Sequence, residues 1–224
     1  MARVALRGQG IGPFVLAALV ALLAAAEEPT LKQVTRGVEQ HYNQTRTFEA
    51  EFVQRYTLGG QTLVESGKVY FQKPGRMRWD YTSPTDKLFL TDGEFAYLYV
   101  SGEKQVRRQP IKKAPEWQAA FALLLGRVEL DRVFSGIELV RVHRLDGPTR
   151  WQLHSFPKSD TQAFTEVWFD LDEGYRILRV EIRQRDGSLM EFHFRRWQEG
   201  RPLPPELFQL RLPPGVTWLD EAPS

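Results

Sequence analysis

Cysteine is absent from all 224 residues. That absence excludes disulfides, thiol nucleophiles and thiolate metal sites, and it excludes acylation of the chain itself on a cysteine at a cleavage point. Histidine is scarce. The four present, His41, His143, His154 and His193, lie far apart in sequence and show neither His-x-His nor His-Glu-x-x-His spacing, so no metal or other cofactor is expected. No serine sits in a Gly-x-Ser-x-Gly elbow. Gly8-Gln9-Gly10-Ile11-Gly12 imitates a phosphate loop but follows no strand. Asp170-Leu171-Asp172-Glu173-Gly174 imitates a calcium loop, yet its glycine comes one residue early and no glutamate closes it, so it reads as a hairpin turn. The pairs Arg107-Arg108, Lys112-Lys113 and Arg195-Arg196 are scattered, short of the concentrated basic face that a nucleic-acid binder shows. An enzyme and a nucleic-acid partner are both disfavoured.

A long hydrophobic run is missing as well. The apolar stretch Phe14 to Leu23 falls short of the roughly 20 residues that span a bilayer. With Arg3 and Arg7 before it and Ala24 and Ala26 before Glu27-Glu28-Pro29, it has the layout of a cleavable secretory signal. Cleavage is expected near Ala26, leaving residues 27–224 as one soluble exported domain. The whole chain carries 30 Lys+Arg against 28 Asp+Glu. Removing residues 1–26 takes two arginines and no acid, so the remainder is formally neutral. With no internal repeat and no linker, its length suits one mainly β domain.

Within that domain the periodicity changes several times. Leu31, Val34, Val38 and Tyr42 recur at helical spacing after Pro29-Thr30, which predicts an amphipathic helix of about three turns that Gly37 weakens. From Phe48 the period becomes two: Phe48, Ala50, Phe52 and Tyr56 share one strand face. Gly59-Gly60, Asp92-Gly93, Ser101-Gly102, Asp146-Gly147, Asp172-Glu173-Gly174 and Asp186-Gly187 mark turns between strands. Strands are expected at 62–72, 76–81, 86–91, 94–100, 104–109, 137–145, 150–156, 164–171, 177–185 and 188–197, and a last one at 208–212. A second helix is expected from Pro115, with an apolar stripe of Trp117, Phe121, Leu124 and Leu125 ending at Gly126. A sheet of some eleven strands must curl to bury its apolar face. The two helices are candidate covers for that face. From the residues alone, the rings along the strands either line a cavity or fill a dry α+β core.

Four landmarks go further: Phe48 and Phe52 with Gln54; Lys73-Pro74 with Arg76 to Tyr81 and Pro84; Asp92-Gly93 followed by Tyr97 and Tyr99; and Phe208-Gln209-Leu210-Arg211-Leu212-Pro213-Pro214-Gly215-Val216. In this order and spacing they resemble the LolA family of periplasmic lipoprotein carriers, from about Leu31 to Asp220. The resemblance implies an incomplete antiparallel β-barrel with a helical lid over a hydrophobic cavity. It implies acylated lipoproteins as cargo, an inner-membrane ABC transporter as donor, an outer-membrane lipoprotein as acceptor, and only transient membrane proximity for a periplasmic monomer. The missing cysteine fits the shuttle and not a lipidated receptor.

On that basis the acyl-chain cavity is expected to draw on Phe48, Phe52, Tyr56, Trp79, Tyr81, Leu90, Phe95 and Tyr97. The lid would present Leu31, Val34, Val38, Trp117, Phe121, Leu124 and Leu125. Related carriers place an arginine just before the proline, where it bonds to the lid. Lys73 stands at that position here, with Arg76 and Arg78 downstream as alternative latches or partner contacts. A lipid-sensing regulator, or a carrier of another amphiphile, is the alternative use of the same fold.

Overall fold

Thr30 opens helix α1 (Leu31–Gln44). Its hydroxyl accepts from the Gln33 backbone N–H while the Gln33 side chain accepts from the Thr30 N–H, a reciprocal cap that satisfies two otherwise orphaned donors. The computed structural model describes residues 28–111, 128–141, 147, 149–159 and 163–220. The expected signal segment and the expected helix from Pro115, with Trp117, Phe121, Leu124 and Leu125, lie outside the described residues. No described helix is long and apolar enough to cross a membrane.

After α1 the described chain forms β1 (Thr47–Leu58), β2 (Gln61–Gln72), β3 (Arg76–Ser83), β4 (Lys87–Asp92), β5 (Phe95–Val100) and β6 (Gln105–Pro110). A helical turn, α2 (Leu130–Val133), leads into β7 (Phe134–Arg141), β8 (Trp151–Pro157), β9 (Phe164–Leu171), β10 (Ile177–Gln184) and β11 (Leu189–Glu199), and β12 (Thr217–Asp220) ends the sheet. All twelve belong to one sheet in the order β12-β6-β5-β4-β3-β2-β1-β11-β10-β9-β8-β7. Neighbours are antiparallel except β12 and β6, which run parallel. The terminal strands β12 and β7 do not pair with each other, so the sheet is an open barrel, as expected.

Helix α1 lies against the inner face of this sheet and is tied to it at several places. Val34, Val38 and Tyr42 are buried in the main core, whereas Leu31 stays exposed. The Tyr42 hydroxyl accepts from the Ile177 N–H at 2.9 Å. Asn43 clasps the Val128 backbone through both its amide atoms, Glu39 accepts from the Leu130 N–H, and His41 meets Glu199 at 3.1 Å. Gly37, a weak helix residue in isolation, is explained by packing. A Cβ there would lie 2.5 Å from the Tyr175 ring, which itself stacks on Trp151 at 5.0 Å.

The outer face has two different characters. Over β8 to β11 it is charged: Arg179 bonds Glu191 at 2.8 Å, pairs with Glu181, and lies 3.7 Å from Asp170. Over β3 to β5 it is apolar and covered, because Leu88 and Leu90 pack against Leu203 and Phe208. That cover corrects one expectation. Residues 208–212 form no strand; a 3-10 turn (Pro205–Phe208) leads into an extended stretch laid across the outer face. Phe208 is buried, Leu210 and Leu212 half-buried and the residues between exposed, so the period of two is real. The alternation serves packing rather than a ladder. The final strand comes later, at Thr217–Asp220.

Candidate functional site

The inner face of β1, β2, β3 and β11 carries a continuous wall of rings. Register explains it: Phe48 opposes Phe71, Phe52 opposes Phe194, and Trp79 opposes Phe89. Phe48 stacks on Phe71 at 4.3 Å and meets Trp197 at 5.1 Å. Phe52 contacts Trp79 at 4.7 Å and Tyr81 at 4.9 Å, both edge-on, and Trp79 meets Phe192 at 5.3 Å. Offset and edge-on pairs of this kind add about 0.5–1.5 kcal/mol each beyond the area they bury. Of the expected cavity residues, Phe48, Phe52, Trp79 and Tyr81 are brought together here, all buried. Tyr56 shares their face further along β1, where it is only half-buried.

Leu90, Phe95 and Tyr97 do not join them. Phe89 opposes Trp79 on the inner face, so Leu90 must point outward, and its partner Tyr97 follows it. Leu90 is fully buried beneath Leu203 and Phe208. The Tyr97 hydroxyl donates to Asp92 at 2.9 Å, and Phe95 lies under the Arg108 guanidinium at 5.0 Å. The wall instead draws on Phe71, Phe192 and Phe194. Phe71 was legible as the residue two on from Val69 in an alternating strand; the two β11 phenylalanines needed the long-range β1–β11 pairing.

Lys73 occupies the turn between β2 and β3, just ahead of a cis Lys73–Pro74 bond. Its ammonium donates to the Tyr42 carbonyl oxygen in the last turn of α1, at 2.5 Å. A cation there complements the exposed carbonyls of a helix C-terminus. Burial lowers the lysine pKa from 10.5 to about 8. Arg78 points the other way: Nε lies 2.9 Å from both Asp80 carboxylate oxygens, and Nη1 donates to the Leu207 carbonyl at 3.0 Å. It therefore pins the outer cover and makes no bond to α1. The Arg76 side chain is exposed and makes no hydrogen bond or ion pair among the described residues.

Among the described residues no three His, Cys, Asp or Glu side chains converge as metal ligands. His154 is used structurally, stacked on Trp168 at 3.7 Å and bonded to Glu166 at 3.0 Å. What the site offers is an aromatic face under a helix held at its end by one lysine.

Residues 43–211 match the family described as outer membrane lipoprotein carrier protein LolA. An outer-membrane lipoprotein carrier protein of Nitrosospira multiformis is 32% identical over 180 residues, covering 79% of this chain and 83% of that protein. One from Methylococcus capsulatus is 31% identical over 173 residues, covering 76% and 80%. Among solved structures, an uncharacterized conserved protein from Thermus thermophilus has the same fold, with a TM-score of 0.54 at 13% identity over 85% of this chain and 98% of that one.

Proposed function

This chain belongs to the LolA family of outer membrane lipoprotein carrier proteins, and from that premise we propose that its inner aromatic face receives the acyl chains of lipoproteins in the periplasm. The observation that carries the reading is the ring wall of Phe48, Phe52, Trp79 and Tyr81, met at its Phe48 end by Tyr42 of the helix that Lys73 grips by its C-terminal carbonyl. Burying each acyl CH₂ contributes about 0.8 kcal/mol, so even part of one chain supplies several kcal/mol without any bond being made or broken. Full burial of several chains would hold cargo too tightly for transfer. A wall whose rings already pack on one another offsets part of that gain, because cargo must displace ring contacts and loosen α1 to enter.

In this reading residues 1–26 are the export signal, residues 27–224 act as one monomeric carrier domain, and Lys73 is the latch between the closed and loaded forms. An inner-membrane ABC transporter loads the carrier and an outer-membrane acceptor empties it. The carrier relatives favour binding over catalysis as the role of the fold.

The test is native mass spectrometry of the exported chain with an acylated lipoprotein and with its non-acylated Cys→Ser form. A one-to-one complex with the acylated form alone is expected. No complex with either form would sink the carrier reading.

A further inference from the structure

Burial along the inner face of β1 ends abruptly. Phe48, Ala50, Phe52 and Gln54 are buried, Tyr56 is half-buried, and Leu58 is 45% exposed. At that boundary the inner face stops being apolar. Gln54 opposes Glu65 across β1 and β2, and Tyr81 opposes Lys87 across β3 and β4. The Tyr81 hydroxyl donates to Gln54 Oε1 at 2.8 Å. Lys87 Nζ bonds Glu65 at 2.7 Å and lies 4.1 Å from the centre of the Tyr81 ring. Four strands thus contribute one polar row across the open end of the ring wall, opposite the end gripped by α1.

Two properties of this row point to a ligand. Gln54 is only 6% exposed, yet its amide nitrogen donates to no described residue while its oxygen is already engaged. That nitrogen is not sealed from solvent, so it stands as an accessible donor beside the ring wall. The row also carries no net charge: Lys87, its one cation, is neutralised by a Glu65 carboxylate with 8% of its side chain exposed. Anionic phosphate is held by uncompensated cationic donors, and here a buried carboxylate stands against the only one.

We propose that Gln54, Glu65, Tyr81 and Lys87 form a head-linkage subsite at the rim of the acyl site. It binds the uncharged ester and amide carbonyls that join acyl chains to a lipopeptide and discriminates against anionic phospholipid. The inference rests on the carrier reading and adds to it the choice of lipid: apolar rings take the chains, Gln54 donates to a linkage carbonyl, and Glu65 keeps Lys87 from capturing phosphate.

The experiment titrates the exported chain, by native mass spectrometry, with a tripalmitoyl-cysteinyl peptide, with dipalmitoyl phosphatidylglycerol and with palmitate. Gln54→Leu is expected to weaken lipopeptide binding about three- to tenfold and leave palmitate binding unchanged. Glu65→Gln, which frees Lys87, is expected to raise phosphatidylglycerol affinity about tenfold. Gln54→Met keeps the test open if the leucine variant fails to fold. Wild-type lipopeptide affinity in both Gln54 variants, with no phospholipid gain in Glu65→Gln, overturns the rim subsite and leaves the carrier reading standing. Failure of the wild type to bind lipopeptide removes both.

Discussion

Lys73 Nζ and the Tyr42 carbonyl oxygen, 2.5 Å apart, join the β2–β3 turn to the last turn of helix α1. Replacing Lys73 by methionine keeps most of the side-chain volume and deletes the donor. Hydrogen exchange should quicken across α1, with a loss of about 1–2 kcal/mol in closed-state stability. If the bond is the latch, lipopeptide affinity should rise in the same variant; unchanged affinity alongside a looser helix would leave Lys73 as a mere helix anchor.

The same lysine predicts a pH dependence. Its folded pKa lies at about 8, below the ordinary 10.5. Between those values the folded chain has released the proton and the unfolded chain still holds it. Unfolding therefore takes up a proton, and the contribution of this group to stability rises with pH through that window. Urea denaturation at pH 7 and pH 9.5 should show wild type gaining on Lys73→Met at the higher pH, and a difference flat in pH would refute the assignment.

Gly37→Ala sets helix propensity against packing. Alanine favours the helix by about 1 kcal/mol, but its Cβ would lie 2.5 Å from the Tyr175 ring. Overpacking of that kind costs about 1–3 kcal/mol, so the melting temperature should fall. The double variant Gly37→Ala/Tyr175→Ala should destabilise less than the two single changes added together, because removing the ring removes the clash.

Leu90 and Phe52 separate the two faces. Leu90→Ala should cost about 2–5 kcal/mol by emptying the space beneath Leu203 and Phe208, with lipopeptide affinity unchanged. Phe52→Glu should abolish loading. Loss of binding on changing Leu90, in protein that circular dichroism shows to be folded, would place the acyl site on the wrong face.

Arg179→Met leaves Asp170, Glu181 and Glu191 without the guanidinium they share. Stranding partly buried carboxylates costs about 3–5 kcal/mol, and Arg179→Lys, which keeps the charge, should lose less. Urea denaturation midpoints of the two variants measure it. Equal deficits in both would mean that the guanidinium's packing and not its charge is what counts.

Much of the fold was legible because β1, β2 and β9 are each apolar on one face and polar on the other, and glycine turns bound several of the strands. The difficulty lay where both faces are covered. In β4, Leu88, Phe89, Leu90 and Thr91 are all buried, so alternation pairs Leu90 with Tyr97 but cannot say which side faces inward. The cover responsible, residues 203–212, has strand-like alternation without a strand partner. Lys73 stood out through its family position, whereas its acceptor on α1 required the packed structure. Gln54 was noticed only as a neighbour of Phe52; its opposition to Glu65 became informative once Lys87 and Tyr81 were seen to complete the row.

The seam between β1 and β11 lies in the middle of the sheet, although its strands, Thr47–Leu58 and Leu189–Glu199, stand near opposite ends of the domain. A chain that emerges N-terminus first can form the meander β2 to β6 and later β7 to β10, but their shared centre waits for the last fifth of the polypeptide. Until then each half exposes a half-built apolar face and an unpaired edge. Completion of the sheet's centre is therefore a late event: truncation before Leu189 removes a central strand and not a peripheral one.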